Sequence, residues 1–409
     1  MKICIIAKTF PPEKLGGAEI YAENIASELS QRKHEVIVIT QEPYQGLSSL
    51  LPRSYNKNGI KLYRFYPLNI FSLYNAKNKP LFLKGLWRAI DLLNPLPAIL
   101  IRNIISKEKP DITHLNMLLG FSQLFLVRLL AKMQIPLILT LHSYEFFCLK
   151  CDLLKSTGGT CQKANLFCRL FIYLSRHILS SLPNTIISPS KSCLDIYEKY
   201  GLFKRCKKVV LPNAVETYAN NPRIDKIAAK RKFIILYAGR LVKIKGIHIL
   251  ISAFRELTRE NIELWLAGDG THEETLKELA STDKRIRFLG KLPHNKVKKL
   301  YQESDVSVLP SIFFDISPFS ALESLAAGCP VIASRIGGMQ ELIRDGYNGC
   351  LVEPNDIGQL RKTMESLIED TVKLRKLSLN AFESSKNFSI DDYTAKLEKI
   401  YAQAINDNA

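Results

Sequence analysis

Residues 2–40 read KICIIAKTFPPEKLGGAEIYAENIASELSQRKHEVIVIT, and this stretch decides the fold. KICIIA at 2–7 is an apolar run, too short at Ile3 to Ala7 before Lys8 for a signal-peptide core, so it reads as a buried first strand. Gly16 and Gly17 follow in a loop, an amphipathic helix is predicted over 18–32, and EVIVIT at 35–40 makes a second strand. Strand, glycine turn, helix, strand is the unit of a parallel sheet covered on both faces.

The same rhythm continues outward. Strands are predicted at 60–65, 111–115, 136–141, 185–188 and 207–211, with helices at 119–133 and 190–200 between some of them. Residues 67–108 break the pattern with four prolines and basic-apolar clusters, and are read as an insertion or helical flap. At 216–232 the chain turns polar and aperiodic, which marks a linker. Beyond it the alternation restarts, with strands at 233–238, 262–267, 285–289, 305–309, 330–333 and 350–352. Helices are predicted at 246–259, 271–281, 294–303, 318–328, 337–344 and 356–369. The reading is α/β, with two Rossmann-like domains at 1–215 and 233–388 facing across a cleft. A last helix near 390–405, in the segment 389–409, could pack back on the first domain.

Charge is unevenly spread over the 409 residues. Residues 1–215 hold 29 Lys and Arg against 13 Asp and Glu, a balance of +16, while the remainder holds 28 against 26. A basic half attracts anionic lipid, a diphosphate-bearing substrate or nucleic acid. No motif with interleaved aromatics supports nucleic acid. No uncharged apolar stretch reaches membrane-spanning length; residues 81–106 are cut by Lys84, Arg88, Asp91 and Arg102. The nine cysteines are odd in number, and no disulfide framework is expected. Cys4, Cys193, Cys206, Cys329 and Cys350 are scattered and read as small buried hydrophobes. Cys148, Cys151, Cys161 and Cys168 form C-x2-C-x9-C-x6-C, which could hold a structural zinc ion or equally be two buried thiol pairs.

Candidate chemistry gathers at predicted strand ends. LYAGRLVKIKG at 236–246 puts Arg240 and Lys245 just after a strand, where two cations can hold a diphosphate or simply be solvated. PSIFFDISPFSALESLAAGCPVIAS at 310–334 carries more. Ser317 and Pro318 mark a helix start, whose free amides around Phe319 and Ser320 favour an anion. Glu323, one turn in, can accept from a pair of ribose hydroxyls or merely favour the helix dipole. As a glycosidase pair, Asp315 and Glu323 are poorly placed. Such pairs stand about 5–9.5 Å apart, whereas eight residues of helix span about 12 Å. His142 ends the strand in LILTLHSYEF, and His114 in DITHLN sits similarly; either can orient a ligand or be satisfied by backbone.

Together these segments resemble the family 4 retaining glycosyltransferases of the GT-B fold. The likeness covers nearly the whole chain. It rests on the Gly16–Gly17 turn with Glu19, PDITHLN, the T-x-H at His142, SPS at 188–190, PNAVE at 212–216 and GRLVKIKG. AGDG at 267–270, LPHNKVKKLYQESDVSVLPS, the run from Asp315 to VIAS, and GGMQELIRDGYNGCLVEPND complete it. The resemblance implies that Arg240 and Lys245 bind the diphosphate of a nucleotide-sugar donor and that Glu323 holds its ribose. It places backbone from Ser317 to Ser320 on phosphates and sugar hydroxyls. Gly16 and Gly17 approach the diphosphate, Gly268 and Leu292 line the nucleoside pocket, and His142 contacts the transferred sugar. Two positions depart from the pattern. Asp315 stands where the family has Glu, one methylene longer, and Ala214 stands where it usually has Gly, so Ala would disfavour a positive φ there.

The implied activity is transfer of a hexose with retention, needing no cofactor, to a lipid-linked or glycan acceptor. Surface polysaccharide or glycolipid assembly (lipopolysaccharide or capsule) is the implied setting, at the cytoplasmic, inner face of the membrane. Two alternatives stay open. A nucleotide-sugar epimerase on the same architecture would need no acceptor, and a non-catalytic nucleotide or nucleic-acid binding module would need no turnover.

Overall fold

The computed structural model describes residues 1–12, 16–75, 79–153, 161, 164–218 and 232–408. Residues 219–231, most of the linker expected at 216–232, lie outside the described residues. The described residues form two compact units: those of 1–153, 161–211 and 393–408, and those of 212–392.

The first unit carries an eight-stranded sheet. Its strands are β1 (Lys2–Ala7), β2 (Glu35–Gln41), β3 (Arg53–Lys57), β4 (Ile60–Phe65), β5 (Ile112–Leu115), β6 (Leu137–Thr140), β7 (Thr185–Ser188) and β8 (Lys207–Val210), in the order β3-β4-β2-β1-β5-β6-β7-β8. All pairs are parallel except β3 on β4. The central strands are apolar on both faces because helices cover both sides, and Val36 to Ile39 are fully buried. The helices are α1 (Gly17–Gln31), α2 (Leu81–Leu93), α3 (Leu96–Glu108), α4 (Gln123–Leu130), α5 (Leu166–Ile178) and α6 (Lys191–Lys199). The flap expected at 67–108 is therefore largely two regular helices, broken where Pro95 and Pro97 restart the chain.

The second unit is a six-stranded, fully parallel sheet. Its strands are β9 (Phe233–Ala238), β10 (Ile262–Ala267), β11 (Ile286–Gly290), β12 (Val306–Leu309), β13 (Val331–Ser334) and β14 (Gly349–Val352). Their order is β11-β10-β9-β12-β13-β14. Helices α7 (Ile247–Arg255), α8 (Glu273–Ala280), α9 (His294–Glu303), α10 (Phe319–Ala326), α11 (Met339–Leu342), α12 (Ile357–Glu369) and α13 (Thr371–Ser385) surround it. The chain builds outward from β9 in one direction, then returns to β12 beside β9 and builds in the other. That reversal leaves a crevice outside the carboxyl ends of β9 and β12.

The last helix, α14 (Ile390–Asn406), belongs to the first unit from Tyr393 onward. Tyr393, Leu397 and Tyr401 are buried there. The Tyr393 hydroxyl lies 2.8 Å from that of Tyr21, and Glu398 pairs with Arg32 at 3.2 Å and His34 at 2.7 Å.

Candidate active site

In the second unit the crevice is assembled from loops after β9, β10, β12 and β13. Backbone bonds lace the first two: Gly239 N–H donates to Ala267 O (2.9 Å), and Leu241 N–H to Asp269 O (2.7 Å). Gly268 has φ 141°, and a Cβ on it would stand 1.9 Å from the Gly239 carbonyl oxygen. Only glycine allows this approach. The β9 and β12 loops meet where Ile312 N–H donates to Ile244 O (2.9 Å).

Lys245 ends the β9 loop and reaches Asp315 of the β12 loop. Its ammonium lies 2.6 Å from Oδ1 and 2.8 Å from Oδ2, and 4.8 Å from the centre of the Phe313 ring. Ser311 Oγ also donates to Asp315 Oδ2 at 2.6 Å. The Asp315 backbone is pinned in turn, its carbonyl accepting from Gly338 N–H at 2.7 Å. Both side chains of the pair are mostly buried. Arg240 is different: it is exposed, and its guanidinium has no hydrogen-bond or ion-pair partner among the described residues. The loop thus offers one held cation, Lys245, and two exposed ones, Arg240 and Lys243.

Helix α10 begins beside them. Pro318 is its cap, and the first amides of a helix, here Phe319 and Ser320, lack intrahelical acceptors. Ser317 is buried, its carbonyl accepts from Asn213 Nδ2 at 2.9 Å, and its own Oγ has no protein partner. Glu323, one turn in, is buried, and its Oε1 lies 2.5 Å from Nε2 of His294, the first residue of α9. Leu292 packs against Leu236, Ala238, Ala267 and Tyr301. Arg240, Lys245, Gly268, Leu292, Asp315, Ser317, Pro318, Phe319, Ser320 and Glu323 therefore all belong to this unit.

Gly16, Gly17 and His142 belong to the other. Gly16 caps α1 and Gly17 is its first residue, while residues 13–15 of the same loop lie outside the described residues. Glu19 steadies the turn: its buried carboxylate accepts from Thr9 Oγ1 at 2.8 Å and stands 3.5 Å from Lys8 Nζ. His142 follows β6, lies 3.1 Å through Nε2 from Asn116 Oδ1, and stacks tilted on Tyr21 with ring centres 4.5 Å apart. Burial pulls its pKa down to about 4, so at neutral pH it is an uncharged hydrogen-bonding group. His114 is fully enclosed, with Nδ1 2.6 Å from the Tyr401 hydroxyl and Nε2 2.7 Å from Thr140 Oγ1. Both ring nitrogens are satisfied, and its role is structural.

Three further residues emerge here that the sequence alone did not single out: His294 on Glu323, Ser311 on Asp315, and Asn116 on His142. Ala214 needs no correction for strain, because it is not among the residues with positive φ. Cys148, Cys151, Cys161 and Cys168 are half-buried and form no disulfide among the described residues, while the other five cysteines are buried. Among the described residues no three His, Cys, Asp or Glu side chains gather in a group that could hold a metal ion. Residues 154–160 and 162–163 between those cysteines lie outside the described residues.

The family model for Glycosyltransferase Family 4 matches residues 15–218, and the model for Glycosyl transferases group 1 matches residues 220–384. The chain belongs to the family 4 glycosyltransferases. Its two Rossmann-like domains are the GT-B fold. An uncharacterised glycosyltransferase of Methanocaldococcus jannaschii is 28% identical over 90% of each chain. An uncharacterised 42.6 kDa protein in the cps region of Klebsiella pneumoniae is 29% identical over 98% of this chain and 100% of that one. Among solved structures, Anabaena HepE in complex with UDP-glucose has a TM-score of 0.71 and 20% identity over 98% of this chain and 100% of its own.

Proposed function

We propose that this glycosyltransferase moves a hexose from a nucleoside-diphosphate sugar, with retention of configuration, to a lipid-linked or glycan acceptor. The observation that carries the reading is the Lys245–Asp315 pair, which ties the β9 loop, where Arg240 is exposed, to the β12 loop that leads into α10, with Glu323 one turn along that helix. In it, Arg240 and Lys245 take the diphosphate, the Phe319 and Ser320 amides take phosphate or sugar oxygens, and Glu323 holds the ribose hydroxyls. As the sugar–phosphate bond breaks, negative charge grows on the leaving oxygens. Fixed cations and amides stabilise it without any cofactor. Lys245 is already oriented by Asp315, so little reorganisation is needed when the phosphate arrives. His142, uncharged, would bond the transferred sugar, and Gly16 and Gly17 leave room for the donor at their turn. The leaving phosphate itself would deprotonate the acceptor hydroxyl, which forms the new bond on the same face.

The neighbour solved with UDP-glucose makes uridine diphosphate sugars the first donors to try. The relative from a cps region favours surface polysaccharide assembly, and the basic N-terminal half favours an acceptor met at the inner membrane face. The test is turnover of Arg240→Ala and Lys245→Ala with UDP- and GDP-sugars. Each is expected to lower kcat by about 10²–10³, the usual effect of removing a group that stabilises developing charge. Near-normal turnover in both variants would sink the site.

A further inference from the structure

Helix α2 is turned the wrong way round for a helix bounded by water. Its exposed residues Phe82, Gly85, Leu86, Ala89 and Leu93 follow i, i+3, i+4, i+7 and i+11 spacing, and none is charged. Its buried face carries the ion pair Arg88–Asp91, with Nη1 2.7 Å from Oδ2. A water-facing amphipathic helix has the opposite arrangement. Phe82 is 73% exposed and Leu93 82%. Helix α5 also turns large apolar side chains outward, with Leu166 at 77%, Phe167 at 74%, and Leu170 and Tyr173 exposed beside Arg169 and Arg176. Both helices pack on α4, whose Phe125 is exposed in turn, and Arg88 stands 5.8 Å from the centre of the Phe171 ring of α5.

We propose that the outer faces of α2 and α5 dock this unit onto an anionic bilayer surface. The choice of occupant rests on charge. Arg169 and Arg176 are exposed among the apolar side chains of α5, Arg102 and Lys107 are exposed on α3, and no carboxylate occurs between Asp152 and Asp195. Apolar side chains sink to the headgroup boundary while neighbouring arginines meet lipid phosphates. A second copy of the chain would bring the same positive rim against itself. No single helix among the described residues is long and apolar enough to cross a membrane; α2 and α3 reach that length and apolarity only together, bent by 42°, and the Arg88–Asp91 pair ties α2 to the unit beneath it. This deepens the reading of a lipid-borne acceptor and depends on that reading only for its purpose.

The test is flotation of the full chain with phosphatidylcholine vesicles, with and without phosphatidylglycerol. Binding is expected to anionic vesicles only and to weaken with salt. Phe82→Ser/Leu86→Ser and Phe167→Ser/Leu170→Ser are expected to weaken it by about tenfold or more each, since large apolar side chains lose their burial. UDP binding by thermal shift should be unchanged in both, showing that they fold. Equal binding to neutral vesicles, or double variants that bind like the wild type, overturns the proposal. So does a wild-type dimer in sedimentation velocity that the same substitutions dissolve. A chain that binds anionic vesicles but no nucleotide supports this face and sinks the donor site, so the two readings fail separately.

Discussion

Two ion pairs of this molecule use the same chemistry to opposite ends. In the 212–392 unit, Lys245 and Asp315 meet in a crevice at the end of a parallel sheet, with the bare Arg240 in the same loop. In the N-terminal unit, Arg88 and Asp91 meet beneath α2, sealed from solvent, with Arg88 Nη2 also donating to Glu145 O at 3.1 Å and Asp91 accepting from Ser122 N–H at 3.2 Å. One pair keeps a cation ready for an incoming anion. The other fixes a helix whose exposed residues are uncharged. The difference teaches that burial alone does not reveal a working charge; an unpartnered cation open to solvent beside the pair, as Arg240 is, marks the one an incoming anion can reach.

Single substitutions should separate the two. Arg88→Ala leaves Asp91 enclosed without its cation, and breaking a buried pair typically costs about 3–5 kcal/mol. Urea unfolding should show a loss of that size, a large share of a domain's usual stability. Asp315→Asn keeps an acceptor for Ser311 and leaves a less enclosed partner, so its unfolding loss should be smaller than that of Arg88→Ala, while kcat falls by about tenfold to a hundredfold because Lys245 loses its orientation against the phosphate. A variant at Asp315 that unfolds as readily as the one at Arg88, with full turnover in what remains folded, breaks the comparison.

The two histidines at strand ends give a second contrast, in pH. Burial pulls His114 to about 3 and His142 to about 4, from an ordinary value of 6.5. The unfolded chain takes up protons at these rings below about pH 6.5, while the folded chain refuses them until far lower. Their contribution is therefore fully present above pH 6.5 and lost progressively as pH falls toward 4 and then 3. Stability measured from pH 7 to 4 should fall steeply, and His114→Gln should flatten that fall while lowering stability at pH 7. An unchanged slope would mean His114 is not held neutral.

How much of this the sequence displays depends on where each interaction closes. The parallel strands are legible because EVIVIT and FIILYA are buried on both faces and read as unbroken apolar runs. Helices α2 and α5 are harder to place, since their apolar residues keep helical spacing but face outward, and Lys84, Arg88 and Arg169 interrupt the apolar runs. Strand β3 (RSYNK) is exposed throughout and lacks the alternation that marks a strand. In the crevice, glycines at strand ends mark the loops, but the need for Gly268 appears only where it meets Gly239. His114 and His142 look alike in sequence. Their difference is made by Tyr401, 287 residues from His114.

His294 is the subtlest case, because it sharpens the crevice without adding a charge that must be present. Its Nε2 donates to Glu323 Oε1 at 2.5 Å while the ring is still substantially exposed. Glu323 thus keeps one oxygen engaged and the other available for a ribose hydroxyl. Removing the imidazole takes away one hydrogen bond that orients the carboxylate, a net contribution of about 0.5–1.5 kcal/mol. His294→Ala should therefore weaken UDP binding by about twofold to tenfold and raise the donor KM, with kcat little changed because the lost contact is made equally in ground and transition states. Glu323→Ala should weaken binding more, and adding His294→Ala to it should cost nothing further, since the histidine acts only through the carboxylate. Additive losses in isothermal titration would instead place His294 in direct contact with the nucleotide.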